Sequence, residues 1–128
     1  MIVVDASAII AILLKESGYE RLASKIISTD EKRISPISWL EVTMALARTF
    51  PNPATTADAY MLRTAIEMHA IDTAQAERAR HAFLMYGKGR HPARLNLGDC
   101  FSYAAAKALN APLLYVGDDF AKTDIRAA

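Results

Sequence analysis

Apolar residues along this chain fall into two rhythms. Short, nearly continuous runs at residues 1–5, at 33–37 around Ile34-Ser35-Pro36, more weakly near His69-Ala70-Ile71, and at 112–116 predict buried strands. Between them, apolar positions recur three and four residues apart, as on one face of a helix. Ile9, Ile10, Leu13 and Leu14 form one such face, and Leu22, Ile26 and Ile27 form the next after a break at Gly18. Leu40, Met44 and Ala47, with Val42 and Leu46, make a broader one. Residues 55–68 and 73–86 read as two longer helices after the Pro51-Asn52-Pro53 break, with Thr55 or Thr56 and Asp72 or Thr73 as N-cap candidates. A last helix is expected from about Leu97 to Leu109, capped by Asn96 and closed by Asn110 ahead of Pro112.

Strands that alternate with helices imply an α/β chain with a mainly parallel sheet, because parallel neighbours are joined only by crossovers, which cover both faces. The expected architecture is a three-layer sandwich. Sites in such sheets lie beyond the carboxyl ends of the strands. Asp5 and the pair Asp118-Asp119 follow two apolar runs directly, and Glu41 comes shortly after a third. Asp99, early in the last helix, needs the tertiary fold to join them. Carboxylates collected there repel one another unless a cation sits among them, which points to a hard, oxygen-preferring ion, Mg²⁺ or Mn²⁺.

Composition narrows the field. A chain of 128 residues, 52% of them hydrophobic, is read as one domain over residues 1–128. A single cysteine, Cys100, allows neither an internal disulfide nor a thiolate zinc site, so a reducing cytoplasm is the expected compartment. The opening run has no basic residue before it and no cleavage site after it, and no apolar stretch approaches the ~18 residues of a membrane span. With a formal net charge of +1, bulk charge does not suit the chain to coating nucleic acid. Any such contact needs a local patch. Arg78 to Gly98 supplies one: it lacks acidic residues and carries Arg78, Arg80, Lys88, Arg90 and Arg94. Residues 87–94 read as a mobile basic loop leading to Asp99. Lys88, Arg90 and Arg94 are candidates for holding a polyanion backbone, against the plainer reading of a solvated loop.

Taken singly, each acidic residue has a structural explanation. Asp5 suits a turn or cap, Asn96-x-x-Asp99 resembles a capping arrangement, and Asp119 suits the turn opened by Gly117. Ser7 is either a holder of a metal-bound water or an N-cap. The aromatics, Trp39 and Cys100 are expected in the core. Together the acids suit phosphodiester hydrolysis, in which a carboxylate-held ion activates water and neutralises phosphate charge without a histidine or lysine base. His69, His81 and His91 lie far from the acids in sequence and lack zinc-site spacing. No glycine-rich phosphate loop follows a strand.

Four segments carry a family resemblance: Val3-Val4-Asp5-Ala6-Ser7-Ala8, Ser38-x-x-Glu41, the run from Gly87-Lys88-Gly89-Arg90-His91-Pro92-Ala93 through Leu95-Asn96-x-Gly98-Asp99-Cys100-Phe101-x-Tyr103-Ala104, and Gly117-Asp118-Asp119-Phe120-x-x-Thr123-Asp124. Together they resemble VapC-type toxins of the PIN-domain family over nearly the whole chain, except residues 50–80. That resemblance implies a PIN-like nuclease domain and a Mg²⁺-dependent endoribonuclease. It further implies a homodimer, silenced by a cognate VapB-type antitoxin. It also implies that Asp5, Glu41 and Asp99 are the principal acidic residues, with Asp5 and Asp99 nearest the metal. The fourth is placed at Asp119, with Asp118 as the second candidate. Two other readings stay open: another metal-dependent nuclease on the same scaffold, acting on DNA or in RNA maturation, and a non-catalytic interaction module.

Overall fold

The computed structural model describes residues 1–128. Four short strands, β1 (Ile2–Val4), β2 (Lys32–Ile34), β3 (Ile66–Met68) and β4 (Leu113–Leu114), form one sheet in the order β3-β2-β1-β4, and every pairing is parallel. Six helices cover it: α1 (Ala6–Leu13), α2 (Tyr19–Ser28), α3 (Pro36–Leu46), α4 (Pro53–Thr64), α5 (Thr73–Tyr86) and α6 (Leu97–Ala108). Successive side chains of a strand face opposite ways, and the core divides accordingly. Ile2, Val4, Ile34 and Leu114 join α1–α4 in one apolar cluster, while Val3 and Leu113 join Ala79, Ala82, Ala104 and Ala105 of α5 and α6 in the other. The expected three-layer α/β sandwich is thus formed.

Several boundaries differ from the sequence reading, and the first of them sets the start of the helix that carries Glu41. The second strand ends at Ile34, so Ser35-Pro36 opens α3 instead of extending the strand. Ser35 Oγ accepts from the Ile37 N–H, and Pro36 takes the first helical turn, where its missing N–H costs nothing. The helix expected to run to residue 68 stops at Thr64. Ala65 adopts a left-handed conformation (φ 52°), and Ile66 then pairs with Lys32, so the third strand is Ile66–Met68, earlier than the run near His69-Ala70-Ile71. The α4 N-cap is Asn52, with Pro53 following, instead of Thr55 or Thr56; Asp72 caps α5 through the Gln75 N–H.

Strand order reverses at β1: the chain first builds outward through β2 and β3, then returns to place β4 on the other side. A crevice at the carboxyl ends of the strands is expected at such a switch point. Asp5 leaves β1 there, and the Asp118-Asp119 turn follows β4 on the same edge.

Candidate active site

Asp5 is the most constrained of the acidic residues. It is 4% exposed and caps α1, with Oδ2 accepting from the Ser7 N–H (3.0 Å) and from Ser7 Oγ (2.6 Å). Its Oδ1 accepts from Ser102 Oγ of α6 at 2.6 Å. Ser7 Oγ accepts in turn from the Val116 N–H at 3.0 Å, tying α1 to the chain leaving β4. The cap of α1 is therefore Asp5 and not Ser7, whose hydroxyl is already committed to the Asp5 carboxylate.

Glu41 and Asp99 arrive on two helices that meet beyond the sheet. Ser38 of α3 faces Ser102 of α6, and one turn along each helix Glu41 lies against Gly98. A Cβ at Gly98 would overlap the Glu41 carboxylate, so the absence of a side chain there lets Glu41 rest on the backbone of α6 beside Asp99. The capping arrangement at the start of α6 is real: Asn96 Oδ1 accepts from the Asp99 N–H (2.9 Å), and Asp99 Oδ2 accepts from the Asn96 N–H (3.0 Å). Asp99 Oδ1 is not used by that cap.

Asp118 and Asp119 are both exposed, in the turn between β4 and a short 3-10 segment, Phe120–Lys122. Phe120 is 2% exposed and packs against Tyr115, with ring centroids 5.1 Å apart, which anchors the turn. The charge of Asp119 bears on Asp99; that of Asp118 is not among the charges acting there.

Burial, followed by the charges of Asp5 and Asp99, pushes the Glu41 carboxyl up to about 7. Burial also raises Asp99; the Asn96 N–H opposes it, the charges of Asp5 and Asp119 add to it, and the group reaches about 6. The fold thus brings Asp5, Glu41, Asp99 and Asp119 into one electrostatic unit. None of the four is in an ion pair, since the salt bridges of the protein, Arg33–Glu67 and Lys107–Asp124, lie elsewhere.

The basic segment is more ordered than its composition suggests. Residues 87–95 are closed by Lys88 N–H to Leu95 O (3.0 Å), Leu95 N–H to Tyr86 O (2.9 Å) and His91 N–H to Gly87 O (3.1 Å), and His91 Nδ1 accepts from the Ala93 N–H. Lys88, Arg90 and Arg94 are all exposed on it. The Arg90 guanidinium lies over the Phe83 ring and donates to Leu84 O (3.2 Å), and Phe83 itself is 42% exposed and not a core residue. Trp39 is only partly buried and donates from Nε1 to Asp58 Oδ1 (3.0 Å). Cys100 is buried, and burial followed by the Asp99 charge pushes its thiol up to about 11, which makes it a poor nucleophile.

A family model for the PIN domain matches residues 2–126. The chain belongs to the PIN-domain family. A VapC ribonuclease of Mycolicibacterium smegmatis is 40% identical over 126 residues, covering 98% of each chain. Among solved structures, VapC20 of Mycobacterium tuberculosis, a sarcin-ricin-loop-cleaving toxin, superposes with a TM-score of 0.79 at 20% identity, over 100% of this chain and 98% of that one. A toxin-antitoxin complex from Klebsiella pneumoniae contains a chain with a TM-score of 0.72 at 21% identity, covering 97% and 93%. At those identities the structural likeness speaks for the fold. No helix of this PIN domain is long and apolar enough to cross a membrane.

PIN-domain nucleases generally use divalent ions, and the donor set of this chain fits one. It consists of carboxylates with no cationic partner in a partly buried position, two of them with pKa values raised by burial and then by the neighbouring carboxylates. No three acidic, histidine or cysteine side chains converge closely enough to clasp an ion in this arrangement.

Two measurements follow from this geometry. Because Glu41 and Asp99 hold protons more tightly folded than unfolded, the folded state binds more protons between about pH 4 and 7, and stability falls as pH rises through that window. The melting temperature of chelator-treated protein is expected to be higher at pH 5 than at pH 8, and a flat or rising profile would show that the carboxylates do not burden the fold. Gly98→Ala displaces only the flexible end of Glu41, so the metal-free melting temperature stays near that of wild type while the stabilisation gained from added Mg²⁺ shrinks. Undiminished Mg²⁺ stabilisation in this variant would remove the Glu41–Gly98 approach from the account.

Proposed function

We propose that this chain is an Mg²⁺-dependent endoribonuclease, the toxin of a toxin-antitoxin pair, with Mn²⁺ able to substitute. The observation that carries the reading is the assembly of four unpaired carboxylates at the switch point of a parallel sheet, in a chain 40% identical to a VapC ribonuclease over nearly its full length. Asp5 and Asp99 are the principal ion ligands, with Glu41 and Asp119 beside them and Asp118 the weaker candidate. A divalent ion bound there supplies Lewis acidity toward the phosphate and a water nucleophile at neutral pH. Asp5, clamped through both oxygens, provides the fixed edge of the site, and Asp99 contributes Oδ1 while Oδ2 keeps α6 capped. Lys88, Arg90 and Arg94 are assigned to the RNA backbone, and cytoplasm is the compartment this role requires.

Incubating antitoxin-free protein with total cellular RNA, with and without Mg²⁺, and mapping new 5′ ends tests the reading. Discrete ends that need both Mg²⁺ and wild-type protein are expected, with Asp5→Asn and Asp99→Asn reduced to background although both fold. Cleavage of DNA in preference to RNA would favour a different nuclease on this scaffold, and an inert wild type that binds no Mg²⁺ would favour a non-catalytic module.

Replacing Lys88, Arg90 and Arg94 together by Ala is expected to raise KM and flatten the salt dependence of RNA binding by about one unit of slope per lost phosphate contact, leaving Mg²⁺ affinity intact. Unaltered RNA affinity at low salt would return the segment to a solvated loop. A VapB-type antitoxin is the partner expected to cover the acidic site and this basic segment. Leu40 (49% exposed) and Met44 (62%), one turn apart on α3, support a homodimer. Light scattering should report twice the 14.0 kDa chain mass; a monomer at every micromolar concentration tested would contradict it.

A further inference from the structure

Beneath the carboxylates, a second set of polar side chains crosses the molecule. Ser38 and Ser102 are each 0% exposed, and their hydroxyl oxygens are 2.9 Å apart although 64 residues separate them. A serine hydroxyl has one proton. Ser102 gives its proton to Asp5 Oδ1 at 2.6 Å, so the proton in the Ser38–Ser102 bond comes from Ser38. The direction is thereby fixed: Ser38 donates to Ser102, and Ser102 to Asp5. On the other side the Val116 N–H donates to Ser7 Oγ, which donates to Asp5 Oδ2. Asp5 is held between two chains of donors, and its carboxylate plane cannot turn without breaking one of them.

The spacing adds a second consequence. Ser38 and Glu41 lie three residues apart on α3, and Asp99 and Ser102 three apart on α6, so on each helix serine and carboxylate share a face. The serine bond pins α3 to α6 one turn below the place where Glu41 meets Gly98 beside Asp99. A buried polar pair is stable only when each member is satisfied, and here the satisfying acceptor is the Asp5 carboxylate itself; no buried side-chain N or O atom in the protein lacks a partner.

We propose that Ser38 and Ser102 are positioning residues of the active site: a one-way hydroxyl relay that sets the rotation of the Asp5 carboxylate and, through the α3–α6 junction, its spacing from Glu41 and Asp99 before a cation arrives. The inference rests on the reading of Asp5 as an ion ligand. Outer partners that orient a metal ligand typically contribute about 10- to 100-fold to metal affinity. Ser102→Ala removes the donor to Asp5 and is expected to weaken Mn²⁺ binding by about tenfold on that scale. Ser38→Ala leaves Ser102 on Asp5 but frees it to turn, and is expected to produce a smaller loss.

Isothermal titration of Mn²⁺ into wild type, Ser38→Ala, Ser102→Ala, the double variant and Asp5→Asn decides the matter, with metal-free melting curves of each. In a relay the serines act in series, so Ser38→Ala weakens Mn²⁺ binding when Ser102 is present and has no further effect when it is absent. Purely structural serines would lower the melting temperature and leave Mn²⁺ affinity within twofold of wild type, which overturns the proposal. Independent losses that multiply in the double variant overturn it as well. Should Ser102→Ala not fold, an undiminished Mn²⁺ affinity in Ser38→Ala overturns it and a weakened one sustains it. Wild type that binds no Mn²⁺, or Asp5→Asn that binds it equally well, defeats the ligand assignment and the relay together, whereas normal wild-type and impaired Asp5→Asn binding beside unimpaired serine variants defeats the relay alone.

Discussion

Carboxylates gathered in a partly buried position repel one another, and this fold holds them together against that repulsion. Burial first, and the neighbouring negative charges second, push Glu41 up to about 7 and Asp99 to about 6. In water, four exposed acids would separate and lie within the ordinary carboxylate range. Here each is attached to an element whose placement is decided by the apolar core: Asp5 by β1, Glu41 by α3, Asp99 by α6 and Asp119 by a turn anchored through Phe120. The core supplies the stability, and the carboxyl edge of the sheet carries a local destabilisation that the proposed divalent cation would relieve. Strained or repelling groups that persist in a stable fold are a recurring mark of functional sites.

Local capping chemistry and the proposed site chemistry draw on the same residues. Asp5 caps α1 and Asp99 closes a capping box with Asn96, so each residue has a complete structural explanation at the level of its own helix. The two explanations are compatible because a carboxylate has two oxygens. Asp99 commits Oδ2 to its cap and retains Oδ1. Asp5 commits both oxygens, to Ser7 and Ser102, which fixes the direction of its carboxylate. Gly98 completes the arrangement by offering Glu41 bare backbone to rest on.

The sheet-end acids were legible from local pattern alone, because an apolar run followed at once by Asp places that Asp at a strand's carboxyl end whatever the rest of the chain does. Asp5 and the Asp118-Asp119 pair are of this kind. Choosing Asp119 over Asp118 from the residues required the family resemblance; in the structure the charge of Asp119 bears on Asp99. Ser35-Pro36 was misleading because it extends an apolar run, yet Ser as cap and Pro in the first turn is equally a helix start. The end of α4 carried no glycine to announce it; Ala65 takes the left-handed position and Ile66 is drawn into pairing with Lys32. Ser38 and Ser102 were invisible as a pair, since nothing local links residues 64 apart, although a serine sharing the face of each candidate acid was the available signal.

In the proposed nuclease, Asp5 and Asp99 are joined by a divalent ion at the switch point of the sheet. Crystals soaked in Mn²⁺ and measured at a wavelength with strong manganese anomalous scattering test it most directly. An anomalous peak is expected about 2 Å from a carboxylate oxygen of each residue, with Glu41 or Asp119 close by or linked through water. Anomalous density confined to other carboxylates, or none at this edge under saturating Mn²⁺, would contradict it.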